Sequence, residues 1–270
     1  LGNLAGGTVT TGDNNIAIGN DAMNGAATTG DNNIAIGVSA GDALTSGKEN
    51  VFMGTDAGGA VTTTTRLVYI GFEAGAANAN GIGNTAVGWK ALRQYDLEHT
   101  NTAIGAEAMS GAGASNSCVA IGNETLAGST TTGANGTVGI GYQALKALTS
   151  GGGNIAVGFE AGLLVTDNTD NVMIGHQAFN ASDSGDSENV VIGSNAGGAI
   201  NHGSSDGNVL IGLSAGLGGA AALADCVVIG KNAMKSTAGN AQSGTVAIGK
   251  EAFNALTTGT KNIAIGYQAG

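Results

Sequence analysis

Apolar residues recur along this chain in short packets instead of long stripes. Each packet is a bulky residue, a smaller one, a bulky one and then Gly, as in Ile16-Ala17-Ile18-Gly19, Ile34-Ala35-Ile36-Gly37 and Ile263-Ala264-Ile265-Gly266. Alternation of this kind is a strand signature, because successive strand side chains point to opposite faces. With the Gly as an anchor, sixteen anchors fall between Gly2 and Gly266 at spacings of 17 to 19 residues. A unit of this length has no room for a helix, a strand and two turns, and it is shorter than a leucine-rich repeat. Two short strands and two turns fit. The pattern predicts an all-β fold: a parallel β-solenoid (β-roll) of about 16 coils of 17–19 residues. Gly-, Ser-, Thr- and Asp-rich stretches such as Thr28-Thr29-Gly30-Asp31 make the turns. No linker or change of composition interrupts the repeat, so residues 1–270 read as a single uninterrupted solenoid domain.

Stacking the units turns recurrences into columns. The bulky residues three and one before the anchor, such as Ile16 and Ile18, share a face and are expected to form the core. The position between them, often Ala as at Ala17, Ala35 and Ala86, gives an opposite face that is apolar but shallow. Three residues after the anchor Ala stands in fifteen of sixteen units, with Thr125 the exception, which points to an inward corner that admits only a methyl group. Four residues before the anchor is Asn in ten of fifteen units: Asn15, Asn33, Asn50, Asn84, Asn101, Asn154, Asn171, Asn189, Asn208 and Asn262. At a coil spacing of about 4.8 Å, these amides are placed to form a structural ladder in which each satisfies the next. The functional alternative is a polar row that binds a ligand.

Sixteen such coils make a rod roughly 75 Å long. A single coil encloses only a handful of Ile, Val and Ala, so a lone stack is thin in buried area. The second apolar face suggests that another chain covers it, in a homotrimer or in an end-to-end filament. The chain starts one residue before an anchor and stops four after one. That is expected either of a piece of a longer repeat protein, the preferred reading, or of a subunit whose half-coils a neighbour completes.

Composition narrows the choices. There are 50 Gly and no Pro, and Gly does not recur every third residue, which excludes collagen. The regular Ile and Val packets argue against disorder. A formal charge of −11 with only nine Lys and Arg argues against nucleic-acid binding and against adsorption to an anionic membrane. No window of 18 apolar residues suggests membrane insertion as a helix.

Chemistry-bearing residues are few. Cys118 and Cys226 fall in the Asn column six coils apart, too far for a disulfide, and are expected to be small buried side chains. His99, His176 and His202 lack the spacing of a metal triad. No calcium-roll repeat, phosphate loop, nucleophile elbow or recurring carboxylate pair is present, so neither catalysis nor a metal or cofactor is expected. Trp89, Tyr95, Asp96 and Glu98 form the one local aromatic and acidic cluster with the character of a glycan contact, the ordinary-loop reading standing beside it. Thr pairs at Thr10-Thr11, Thr28-Thr29 and Thr257-Thr258 raise an ice-binding surface, but without a strict alternating Thr ladder.

The segments "NNIAIGNDAM" from Asn14, "NTAIGAEAM" from Asn101, "NIAVGFEAG" from Asn154 and "NIAIGYQAG" from Asn262 resemble the head repeats of trimeric autotransporter adhesins. They also resemble repeat shafts of phage tail fibres and bacterial surface proteins. The resemblance spans all 270 residues, although the units here are longer than those of adhesin heads. It implies a left-handed coil in a trimer, with Ile16, Ile18, Ile263 and Ile265 directed inward and Gly19 and Gly266 at the following turns. By that likeness the expected role is an extracellular structural fibre or adhesin segment at a cell surface or virion tail, with a cell-surface glycan or protein as receptor. The alternatives are a carbohydrate-binding or carbohydrate-cleaving tailspike-like solenoid and, below it, an ice-binding solenoid.

Overall fold

In the computed structural model the chain is a parallel β-solenoid, with no helix among the described residues. Those are all residues except 1, 26, 95–98, 112, 114, 129–132, 183, 219–220, 238–240 and 258. The chain divides into two compact units, Leu1–Asn135 and Gly136–Gly270.

Unit 1 carries seven three-residue strands: β1 (Ile16–Ile18), β2 (Ile34–Ile36), β3 (Val51–Met53), β4 (Val68–Ile70), β5 (Thr85–Val87), β6 (Thr102–Ile104) and β7 (Val119–Ile121). Each pairs in parallel with the next, and like positions face like: Ile16 opposite Ile34, Phe52 opposite Tyr69, Ile104 opposite Ile121. Unit 2 begins with β8 (Val138–Ile140), β9 (Ile155–Val157), β10 (Val172–Ile174), β11 (Val190–Ile192) and β12 (Val209–Ile211). It continues through β13 (Leu223–Ala224), β14 (Val227–Ile229), β15 (Gln242–Ser243), β16 (Val246–Ile248) and β17 (Ile263–Ile265). Eight of these form an in-register parallel sheet, while β13 and β15 pair on a second wall.

Three residues make a poor strand in isolation. Here each gains a partner above and below, and the corners fix where it stops. Immediately after the strand the anchor Gly takes φ near +135°, as at Gly54 (+133°) and Gly71 (+135°). Two residues on, side-chain-bearing residues occupy the left-handed region: Asp56, Glu73 and Glu160 lie at φ +55°, +53° and +53°. Ahead of the strand Asn32, Glu49 and Arg66 do the same at +61°, +61° and +62°. Such residues normally cost roughly 1–2 kcal/mol each. Hydrogen bonds from the neighbouring coil hold them in place: Glu73 N–H donates to Thr55 O at 2.9 Å and Glu49 N–H to Asp31 O at 3.1 Å.

The strand faces are the reverse of the expected orientation. The central residues Ala35, Phe52, Tyr69, Ala86, Ala103 and Ala120 are fully buried. The flanking residues face outward: Ile16 and Ile18 are 46% and 39% exposed, and Ile263 and Ile265 are 71% and 67% exposed. The shallow small-residue face is therefore the core wall, and the bulky face is the outside. The reason is the width of the coil. Its interior already holds the corner Ala column (Ala22, Ala40, Ala57, Ala74), the Asn column and residues such as Leu44, Val61 and Leu148, all fully buried apart from Asn15 and Asn262 at the ends. One inward side chain per strand fits, and two β-branched ones do not.

Size compensates within that narrow core. In several coils a large strand centre is matched by Gly four past the anchor, as in Phe52 with Gly58, Tyr69 with Gly75 and Leu210 with Gly216, whereas Met173 with Phe179 and Val228 with Met234 keep two large residues. Where the centre is Ala86, Ala103 or Ala120, that later position holds Leu92, Met109 or Leu126, each buried.

The Asn column is hydrogen-bonded in series. In unit 1 the Asn33 backbone N–H and Nδ2 both donate to Asn15 Oδ1, at 2.9 and 3.1 Å. Asn50 repeats this on Asn33 Oδ1 at 3.1 and 3.0 Å. Each Nδ2 also donates to a turn carbonyl of the next coil, as Asn50 does to Thr64 O at 2.9 Å. Unit 2 repeats the pattern through Asn154, Asn171, Asn189 and Asn208. Cys226 ends that run. Its N–H still donates to Asn208 Oδ1 at 3.0 Å, but its buried thiol is the acceptor facing the Thr245 N–H. Sulfur is a weak acceptor. Burial also pushes the Cys226 thiol pKa up, which keeps it protonated. Cys226→Asn should restore a full amide acceptor and raise stability by about 1 kcal/mol. Urea unfolding of the two proteins checks this, and a lowered midpoint would show that the site cannot take the amide.

Candidate functional site

The most distinctive surface follows from that inverted strand. Residues one and three of every strand form two parallel outer columns. In unit 1 twelve of these side chains are Ile, Val or Met, with Thr85 and Thr102 as the two polar members. In unit 2 all sixteen in the main sheet are Ile or Val. Because the strands are in register, like side chains stack on like, and the columns form flat apolar ridges. Ile104, Ile121, Ile140, Ile155 and Ile174 are 36 to 39% exposed even with neighbours above and below. The largest apolar patch on an ordinary monomer spans roughly 300–600 Å² and is often an interaction site. Five of these side chains in each unit are exposed and the others are partly so, which makes each face a contiguous apolar surface.

The apolar character continues past the Gly corner. One residue beyond the anchor stand Val38, Phe72 and Trp89 in unit 1, and Tyr142, Phe159 and Leu213 in unit 2, all exposed. Tyr142 and Phe159 stack with centroids 5.1 Å apart and planes at 20°. Phe159 and His176 follow at 5.3 Å and 8°. The next column is polar, and in it Gln177 Nε2 donates to Glu160 Oε2 at 2.8 Å. In the sequence the residue after the anchor is aromatic at Phe72, Trp89, Tyr142, Phe159 and Tyr267, between coils with Asn, Thr, Ser or Lys there, and of these only Trp89 was singled out.

Trp89 is 46% exposed, and Lys90 Nζ sits 4.2 Å from its ring centroid, over the face. Tyr95, Asp96 and Glu98, grouped with Trp89 as weak glycan contacts, lie outside the described residues, as does Thr258 of the Thr pairs. Three of the other Thr hydroxyls, those of Thr10, Thr28 and Thr29, bind the following coil: Thr28 Oγ1 donates to Leu44 O at 2.9 Å and Thr10 Oγ1 to Thr28 O at 3.2 Å.

Elsewhere the surface is already paired or lacks convergent groups. A depression of about 350 Å³ in unit 1 is lined by Asp56, Glu73, Ala76, Ala77, Arg93 and Gln94, and an ion pair of 2.6 Å joins Arg93 Nε to Glu73 Oε2. Among the described residues no three His, Cys, Asp or Glu side chains gather as a metal site, and no helix is long and apolar enough to cross a membrane. His99 and His176 are exposed in different units, with His99 Nδ1 accepting the Ile82 N–H at 3.0 Å. Cys118 and Cys226 are both free thiols and buried. No protein-family model matches the chain, and no curated protein matches it.

Proposed function

We propose that this chain is a structural solenoid segment of an extracellular fibre or adhesin, and that copies of it associate through the outer Ile/Val columns. The exposed in-register apolar face carries this reading. Covering the exposed part of one such side chain is worth about 1 kcal/mol on average. Twelve to sixteen of them match the upper part of the roughly 4–15 kcal/mol that association costs in lost freedom. A homotrimer around these columns fits the resemblance to adhesin heads and fibre shafts, as does the extracellular setting. An end-to-end filament is the competing assembly. Receptor contact with a glycan or protein then falls to the turns, and catalysis, cofactor and nucleic acid have no part in the reading.

The carbohydrate-binding alternative would use the corner aromatics. Sugars stack on open ring faces, whereas Tyr142, Phe159 and His176 turn their faces on one another and Trp89 carries Lys90 on its own. This favours the structural reading.

The test is mass by light scattering of the 270-residue chain and of an Ile174→Asp, Ile192→Asp variant. The expected result is an oligomer that the variant converts to monomer while keeping its β circular-dichroism spectrum. A wild-type chain that stays monomeric at high concentration would remove the proposal. A mass that grows without limit, undiminished in the variant, would point to end-to-end filaments.

A further inference from the structure

Asp186 is the one fully buried ionisable carboxyl among the described residues. It occupies the inward column seven residues before the anchor, where other coils place Thr64, Ser115, Asn168, Ser205 and Leu223. No Lys or Arg pairs with it among the described residues. Its Oδ1 accepts the Ser205 N–H at 2.8 Å and its Oδ2 accepts the Ser182 hydroxyl at 3.0 Å. Ser182 Oγ in turn accepts from Asn168 Nδ2 at 2.7 Å. Ser182, Asn168 and Ser205 are themselves fully buried. The other end of the Asn168 amide, Oδ1, is buried without a hydrogen-bond partner.

This chain of groups holds one charge too many and one donor too few. The charged neighbours add to the imbalance. Asp206 faces the site from the following coil, and Asp167 accepts the Gly185 N–H from the preceding one. His202 is exposed and contributes its backbone, while Asp183 lies outside the described residues. A proton on Asp186 removes the charge and adds a donor. Oδ2–H donates to Ser182 Oγ. The Ser182 hydrogen then turns to Asn168, whose amide flips to present Oδ1 and turns Nδ2 to the side that Oδ1 leaves.

We propose that Asp186, Ser182 and Asn168 form a proton-responsive lock that tightens the coils of unit 2 on acidification. Burial, the largest influence on this carboxyl, raises its pKa above the ordinary value, against the opposing effect of its hydrogen bonds. The folded state then binds the proton more tightly than the unfolded chain. The site is therefore most stabilising below the unfolded value of about 3.9 and loses that contribution as pH rises through the folded one.

The experiment compares the melting temperature of the full chain with that of Asp186→Asn from pH 4 to pH 8. The neutral amide keeps the Ser205 contact and donates to Ser182. The variant is expected to melt roughly 2–4 °C higher at pH 8, the shift that about a tenfold change in folding constant gives a chain of this size. The difference should vanish towards pH 4. Taking the difference removes the background of the chain's other carboxyls. A difference independent of pH, or a variant less stable at pH 8, would overturn the lock. If Asp186→Asn does not fold, carboxyl NMR of the wild type decides: a buried carboxyl titrating above the ordinary range supports the lock, and its absence overturns it.

Discussion

Gly54→Ala is expected to unfold unit 1 or to lower its melting temperature by more than about 10 °C. A Cβ built on Gly54 stands 2.4 Å from Gly71 O and 2.6 Å from Gly71 C. Both are backbone atoms, held in place by the coil that follows. The backbone at φ +133° is also open only to Gly, a strain of roughly 1–3 kcal/mol before any overlap is counted. Together the two effects approach the whole stability of a domain, about 5–15 kcal/mol. Gly136→Ala is the control. It sits at φ +68° with nothing within 4 Å, in a column where Asn32, Glu49 and Arg66 adopt nearly the same φ. It should cost only about 1 kcal/mol. Thermal unfolding by circular dichroism separates the two. Similar small losses would mean that the coil can shift at Gly54, and that the anchor Gly is not what closes it.

That contrast explains why the fold was legible in the sequence. Within each unit an added Cβ at one corner would meet the backbone of the next, 2.4 Å from Gly71 O at Gly54 and 2.4 Å from Gly175 O at Gly158, so the corner is held to Gly and the period is plain. Strand positions, parallel stacking and the absence of helix follow from that period and from the alternation before it. The corner Ala column was equally plain, since the filled interior leaves room there for Ala and, in one coil, Thr125.

The direction of the strands was misread, although the signal was available. Asn four before the anchor and the central residue two before it share a face by alternation. A ladder of Asn that satisfies its amides on neighbouring coils belongs inside the coil, so the central residue belongs inside with it. Ile16 and Ile18 then have to face out. The expectation followed bulk and β-branching instead, which holds for a chain that folds alone. It fails here, where the interior takes one side chain per strand and leaves the bulky face outside. The same inference would have drawn attention to Phe72, Tyr142 and Phe159, which extend that face past the corner. The buried Asp186 was not legible, because its column tolerates Thr, Ser, Asn and Leu and shows no recurrence to depart from.

The core should show strong coupling between two positions that the sequence keeps complementary. Phe52→Ala empties the volume of a fully buried ring and is expected to cost about 3–5 kcal/mol. Gly58→Leu alone should be comparably damaging, because its Cβ would lie 2.5 to 2.6 Å from Phe52 Cδ1 and Cε1. The double variant recreates the arrangement found two coils later, where Ala86 is paired with Leu92. Leu92 sits at φ +52° against +64° for Gly58, so the backbone accepts the new side chain. Most of the loss should then return, with a coupling energy above about 2 kcal/mol in a double-mutant cycle. Recovery is expected to stop short of wild type. The Phe52 ring also packs on Gly41, where an added Cβ would meet Cδ2 at 2.6 Å, and Leu at position 58 cannot reach that side. Urea unfolding of the four proteins reads the cycle directly. Additive losses would mean that the pairing of Phe52 with Gly58, and of Ala86 with Leu92, is coincidence instead of one way of filling the coil.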